Sequence, residues 1–229
     1  MIYEDKKEWT KAFLKDEEMP YPAEYVIRIF KGSYPRLNLD KSKFQGKKIC
    51  DIGCGTGRNM YFLRTRGFDV HGVEITEPIV DKVRQNLKKA GVDKAEVRVG
   101  TNDNIPFEDG FFDYLLSWNA CYYMGDSDDF GKHVRELSRV LKKGGYLIMS
   151  IPQKTCYYYE GSETLKKGYR IIRNDPFNVR NGAVLRIFED VDEIKEEFSG
   201  NFENFVTATD HDDCFGLNYH LHMIICQKK

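Results

Sequence analysis

The sequence predicts an α/β fold wound on both faces of a mostly parallel sheet, and three observations carry that reading. Between residues 46 and 152, short apolar runs alternate with amphipathic stretches of helical period. A glycine-rich turn, GCGTG, closes the first of those runs. Most prolines and glycines there fall at the joints between segments. Alternation of this kind means βαβ units, whose crossovers are right-handed and whose strands run parallel. At 229 residues the chain suffices for one such domain with an elaboration and a full core.

The elements follow in order. Residues 4–18 are charged and helical, with Trp9 and Phe13 four apart on one face. Pro20 and Pro22 interrupt that helix, and Pro22 suits the first turn of a second, AEYVIRIFKG, which Gly32 stops. KKICDIG is the first strand, GCGTGRN the turn, and MYFLRTRG a helix closed by Gly67. FDVHGVEI is the second strand, PIVDKVRQNLKKAG a helix opened by Pro78, and AEVRVG the third strand. FFDYLLSW is the fourth, DDFGKHVRELSRVLKKGG a helix, and YLIMSIP the fifth. Beyond Pro152 the rhythm breaks. GYRIIR and AVLRIF flank the turn-rich NDPFNVRNG, which predicts a β-excursion over 154–189. A helix, EDVDEIKEEFSG, and two strands, NFENFVTAT and LNYHLHMIICQ, complete the chain, the strands joined through DHDDCFG. The expected organisation is a single domain over 1–229. It comprises an N-terminal helical cap (1–45), a core (46–152), an inserted lid (154–189), and a last helix and strand pair (190–229).

Composition narrows the partners. A net charge of −1 gives no global attraction to nucleic acid or anionic lipid. No stretch approaches the roughly 18 apolar residues of a membrane helix, and the opening MIYEDKKEWTKAF lacks a secretion signal's apolar run. Six cysteines form no CxxC pair. A cytoplasmic protein, monomeric or homodimeric, is the expectation. The 14 Tyr, 15 Phe and 2 Trp exceed the needs of a core this size, so some rings should line a pocket.

The strongest motif is KICDIGCGTGRN, residues 48–59. Glycines between a strand and a helix remove the Cβ atoms that would keep backbone from a ligand. Dinucleotide-binding turns are close relatives, and three features argue against one here. Asp51 precedes the glycines, where a pyrophosphate would be repelled. The spacing of Gly53, Gly55 and Gly57 is not G-x-G-x-x-G. Glu74 ends the second strand, placed to accept both hydroxyls of a ribose.

At these residues the chain resembles the class I S-adenosylmethionine-dependent methyltransferases, particularly the small-molecule enzymes. DIGCGTG is similar to the family's first motif, GVEI to its acidic second motif, and GTNDNIPFEDGFFDYLLSW to its third and fourth. RVLKKGGYLIMSIP resembles the helix-turn-strand that follows. The last strand pair resembles the family's ending, which implies seven strands with an antiparallel seventh. The resemblance implies S-adenosylmethionine as cofactor. Gly53, Cys54 and Gly55 would present backbone to its methionine portion, and Asp51 would fix the loop or meet the amino group. Glu74 would hold the ribose, with Ile75 on the adenine. Asn102 and its neighbours would meet the adenine edge, and Trp118 with Asn119 would lie at the methionine end. One position departs from the family: Thr101 follows the third strand's glycine, where an aspartate often contacts the adenine's exocyclic amine. Asn102 or Asp103 is left to take that role.

The acceptor is less legible. Methyl transfer from a sulfonium is an in-line displacement that alignment and water exclusion accelerate, with a base needed only when the acceptor must lose a proton. SWNACYYM lacks the Asn/Asp-Pro-Pro-aromatic motif of DNA-amino methyltransferases, a Pro-Cys nucleophile, and the metal-binding aspartate of catechol-type enzymes. Metal-independent O- or N-methylation of a small molecule is therefore the expected reaction. Tyr122 is a candidate catalytic residue, and Tyr123 a substrate contact beside it. Both also fit as core aromatics. Asp126, Asp128 and Asp129 read as caps of the following helix. His211, with Asp212 and Asp213, is either a base at the cofactor edge or part of a polar hairpin turn. Trp9, Tyr21 and Tyr25 are expected to close the pocket. Arg170, Arg173, Arg180 and Arg186 mark either a clamp for an acidic acceptor, with Arg170 and Arg180 as contacts, or a solvated face. The tyrosines at 157–159 are a further candidate lining. Two alternatives stand beside this function: methylation of a protein or RNA, and a non-catalytic S-adenosylmethionine-binding regulatory module.

Overall fold

In a computed structural model, the structure describes residues 5–15, 19–125, 127 and 129–229. Asp126 and Asp128 lie outside them. Two helices come first, α1 (Asp5–Lys15) and α2 (Glu24–Lys31). Pro22 precedes α2 instead of entering its first turn, because Ala23 is already the extended cap residue. The alternating part then runs β1 (Lys48–Ile52), α3 (Arg58–Thr65), β2 (Asp69–Glu74), α4 (Glu77–Lys89), β3 (Glu96–Val99), β4 (Phe112–Ser117), α5 (Phe130–Val140) and β5 (Leu141–Pro152). Leu141 is extended and pairs with Phe112, so the KKGG segment expected to prolong α5 belongs to β5.

Seven strands form the main sheet in the order β3-β2-β1-β4-β5-β10-β9. The last two are β9 (Phe202–Cys214) and β10 (Leu217–Lys228). β10 is antiparallel to both β5 and β9, which leaves β9 parallel to the rest. The carboxyl ends of β1–β5 and β9 therefore share one edge. Apolar side chains leave both faces of the inner strands. Ile49, Leu116 and Ile148 meet α2, α3 and α4 on one side, and Cys50, Leu115 and Leu147 meet α5 and α6 (Val191–Ser199) on the other. Burial on both faces is what makes these strands read as near-continuous apolar runs.

The excursion between β5 and α6 holds three strands where two were expected: β6 (Glu163–Lys166), β7 (Tyr169–Ile171) and β8 (Val184–Arg186). Every residue of β6 is exposed, so no apolar alternation announces it. β8 docks on the loop after β4. Arg186 N donates to Tyr122 O at 2.9 Å, and Met124 N donates to Val184 O at 3.0 Å. The β9–β10 hairpin also differs from expectation: both strands continue to a tight turn at Phe215 and Gly216, placing His211, Asp212 and Asp213 in a strand. No helix among the described residues is long and apolar enough to cross a membrane.

Candidate functional site

At the shared carboxyl edge, the GCGTG turn is folded around backbone rather than side chains. Gly53 has φ +68°, and a Cβ there would come within 2.7 Å of the Ala120 Cβ. Its N–H and that of Cys54 both donate to Val73 O, at 2.9 and 3.2 Å. Glu74 is 4% exposed, and its carboxylate holds two neighbouring segments together. Gly55 N donates to Oε1 at 2.7 Å and Ile75 N to Oε2 at 2.9 Å. Burial raises the Glu74 pKa, and the two amides oppose that rise. A carboxylate has about four acceptor positions. Two are used by the backbone, so two remain, one on each oxygen as a vicinal diol requires.

Glu74 lines a cavity of about 390 Å³. Ile52, Gly53 and Ile75 line it from the ends of β1 and β2, and residues 100–104 from the end of β3. Asn119, Ala120 and Tyr123–Gly125 line it from the loop after β4. Asn102 binds two of these walls together, its Nδ2 donating to Ala120 O at 2.9 Å and to Tyr123 O at 3.0 Å. Thr101 Oγ1 donates to Asp103 Oδ1 at 2.7 Å. Asn119 sits at φ 60° and is fixed by Ser150 Oγ, which accepts from its N–H and donates to its Oδ1; its Nδ2 donates to the Tyr219 hydroxyl. Lys6, Trp9 and Phe13 of α1 form the outer wall, and Phe13 covers Gly55 so closely that a Cβ there would be 3.1 Å from its ring.

Thus the structure brings Gly53, Glu74, Ile75, Thr101, Asn102, Asp103, Asn119, Trp9 and Tyr123 to one cavity. Other expectations need correction. Asp51 is buried beneath the loop, bonded by Asn59 with its other oxygen unpartnered, so of its two expected roles only fixing the loop remains. Burial raises its pKa well above the carboxylate range. Cys54 turns its thiol toward Gly72 and Met60, away from the cavity. Trp118 is buried against Tyr25, ring centroids 6.5 Å apart, and does not line the cavity. Tyr21 is 91% exposed and closes nothing. Tyr25 spends its hydroxyl on Asp210, at 2.7 Å.

Tyr122 does not fit a catalytic role. The docked excursion covers it completely, its hydroxyl has no partner among the described residues, and burial pushes its pKa well above the usual phenol value. His211 likewise stands outside the cavity, with Nε2 on Gln153 Oε1 at 2.9 Å and its ring on His220. Thr155 and Asp213 bond the two nitrogens of His220. The arginines form no anion clamp. Arg173 pairs with Glu163, Arg186 with Glu193 and Glu197, and Arg170 donates to Thr164. Arg180 is paired with the fully buried Asp175 at 3.1 Å. It donates to Tyr123 Oη at 2.9 Å and Tyr158 Oη at 3.3 Å, and lies 5.2 Å from the Trp9 ring centroid. It shapes the aromatic wall from behind. Burial pushes the Tyr123 phenol up to about 12, so it faces the cavity protonated. The tyrosines 157–159 are buried and do not line the cavity. Asp129 caps α5, its Oδ1 accepting from Gly131 N at 2.9 Å.

Lys6, Met124 and His133 line the cavity without having been singled out from the sequence, and Phe13, read there only as sharing a helix face with Trp9, lines it too. His133 carried a signal: in FGKHVRELSRV it shares the buried face of Phe130, Val134 and Leu137.

Residues 50–149 match the family described as methyltransferase domain. The chain is 32% identical over 118 residues to sarcosine/dimethylglycine N-methyltransferase of Aphanothece halophytica, covering 51% of this chain and 42% of that protein. It is 29% identical over 133 residues to a Mus musculus protein named "Probable tRNA methyltransferase 9B", covering 56% and 27%. The chain thus spans less than half the length of either relative. A crystal structure of an S-adenosylmethionine-dependent methyltransferase from Methanosarcina mazei superposes with a TM-score of 0.66 at 21% identity, covering 86% of this chain and 98% of that one. That likeness is one of fold.

Proposed function

Taking as premise that residues 50–149 are a methyltransferase domain, we propose that the protein transfers a methyl group from S-adenosylmethionine to a small-molecule acceptor. The observation that carries the reading is the cavity itself. A buried carboxylate with two acceptor positions left stands in one wall, bare glycine backbone in the next, and an indole and a phenol face them. These residues fit the cofactor: Glu74 would hold the ribose hydroxyls, Ile75 the adenine face, and Gly53 with Asn119 the methionine end. Bound there, the sulfonium supplies an electrophilic methyl. The chain's own residues orient and dry the reaction. Asn119 is immobilised by Ser150 and Tyr219, Trp9 and Phe13 exclude water, and the Tyr123 hydroxyl can donate to an acceptor atom. Alignment of this kind lowers the barrier without a protein nucleophile.

Because the excursion's arginines are engaged within the protein, the acceptor needs no acidic group. The cavity's aromatic wall favours a compact molecule with an amine or hydroxyl over a polymer. Calorimetry should give micromolar affinity for S-adenosylhomocysteine and none for NAD. Labelled methyl from S-adenosylmethionine should enter a pool of small amines and alcohols. Labelling confined to RNA or protein would replace this acceptor class, and cofactor binding without transfer to any pool would favour the regulatory module.

A further inference from the structure

On α5, which Glu136 Oε1 ties to the segment after β3 by accepting from Ile105 N at 2.7 Å, a polar acceptor lines the cavity that the sequence motifs do not account for. Along the edge the order is residues 100–104 after β3, Glu74 and Ile75 after β2, Gly53 after β1, and Asn119 after β4. Glu74 lies between the first and third of these, since its backbone carbonyl takes Gly100 N at 2.9 Å and its carboxylate takes Gly55 N. With the ribose at Glu74 and the sulfonium toward Gly53 and Asn119, the adenine falls toward residues 100–104 and the helix behind them.

His133 of α5 lines this cavity although only 1% of its surface is exposed. Its Nδ1 lies 3.2 Å from Cys121 O. A carbonyl oxygen can only accept, so Nδ1 must carry the proton in that contact. Burial lowers the pKa of the imidazole, which is therefore neutral at pH 7. Nε2 is then a bare acceptor, and no hydrogen bond to it is made within the described residues. Residues 101–103 compete weakly for the same task. Thr101 donates to Asp103, Asn102 is pinned by both donations of its Nδ2 to Ala120 and Tyr123 so that its Oδ1 has little freedom to follow a ligand, and Asp103 is exposed.

We propose that His133 Nε2 accepts a hydrogen bond from the exocyclic amine of the cofactor's adenine and so selects an adenosyl over an inosyl group. The inference rests on the cofactor reading above. An inosyl group presents a carbonyl at that position. Two acceptors would then face each other in a dry site, and a site built around a donor rejects such an analogue strongly.

The test is calorimetric binding of S-adenosylhomocysteine and of S-inosylhomocysteine to the whole protein. The wild type should bind the adenosyl compound at least tenfold more tightly. His133→Phe should bring the two affinities within about threefold, and His133→Gln, which restores an acceptor, should recover part of the preference. In the wild type, the unprotonated ¹⁵Nε2 resonance of His133 should shift with the adenosyl ligand and stay with the inosyl one, a readout that needs no variant. A preference that survives in His133→Phe, or that collapses in Asp103→Asn instead, overturns the proposal and leaves the cofactor reading intact. Equal wild-type affinities, or an unmoved His133 resonance, also overturn it. Binding of neither compound overturns both readings.

Discussion

The β1–β2 side of the cavity and the excursion packed behind its aromatic wall are held by different kinds of bond. Around β1 and β2 the contacts run through main chain: Gly53 and Cys54 to Val73 O, and Gly55 and Ile75 to a single carboxylate. In the excursion, β8 docks through main chain, but the contacts that reach the aromatic wall run through paired side chains. Asp175 accepts Val179 N and Arg180 N on Oδ2 and the Arg180 guanidinium on Oδ1, and Arg180 in turn holds Tyr123 and Tyr158. Main-chain contacts constrain sequence through glycine and one acid, so the first region can accept many neighbours and keep its ligand. The second depends on matched pairs, where changing one member undoes the rest. A cofactor shared by many reactions suits the first construction, and a particular acceptor suits the second.

That contrast can be broken most directly at Asp175. Asp175→Ala leaves a largely buried guanidinium without its counterion, and removing one member of a buried pair costs about 3–5 kcal/mol. Urea unfolding should show a loss of that order. A change within about 0.5 kcal/mol would mean the excursion does not depend on its ion pair.

Glu74→Gln probes the other wall. Replacing charge-assisted bonds to the ribose should weaken S-adenosylhomocysteine by about 1.5–3 kcal/mol, read as its dissociation constant. An unchanged constant would put the ribose elsewhere. The same residue sets a smaller pH effect. Its folded pKa is raised above the ordinary 4.5 by burial, and hydroxyl donors favour the ionised form. Cofactor affinity should therefore be full above that raised pKa and decline as pH falls through it, a decline that Glu74→Gln removes. The apo protein shows the opposite sign, because a raised carboxylate pKa favours the folded state as the group protonates. Its stability contribution from Glu74 is lost as pH rises through the raised value.

Tyr122→Phe should do least. It deletes a buried hydroxyl that has no partner among the described residues, so stability and methyl transfer should stay near wild type, stability within about 0.5–1 kcal/mol. A large drop in turnover with intact folding would return Tyr122 to the chemistry.

The sheet, its helices and the glycine turn that ends β1 were legible because each leaves a periodic or punctuated trace: apolar runs, Gly57 before α3, Pro78 at the start of α4. The acceptor side was not. Tyr122 and Tyr123 are adjacent and chemically alike, yet one is sealed under β8 while the other faces the cavity, a distinction set by a strand some sixty residues away. Arg180 was found, but not Asp175, and without its partner an arginine reads as a free cation. His133 lay on an apolar helical face, where a histidine passes for a core residue.

The first helix carries a last consequence. α1 has eleven residues, below the about 12–15 at which an isolated helix becomes even marginal in water, and its order depends on what it lies against. Part of that support is the cavity, through Lys6, Trp9 and Phe13, together with a hydrogen bond between the Thr10 and Thr76 hydroxyls at 2.9 Å. Occupant and helix then steady each other by the same free energy, whichever arrives first. Filling the cavity should slow protease cutting within residues 5–15, and clipping that segment away should shorten the occupant's stay.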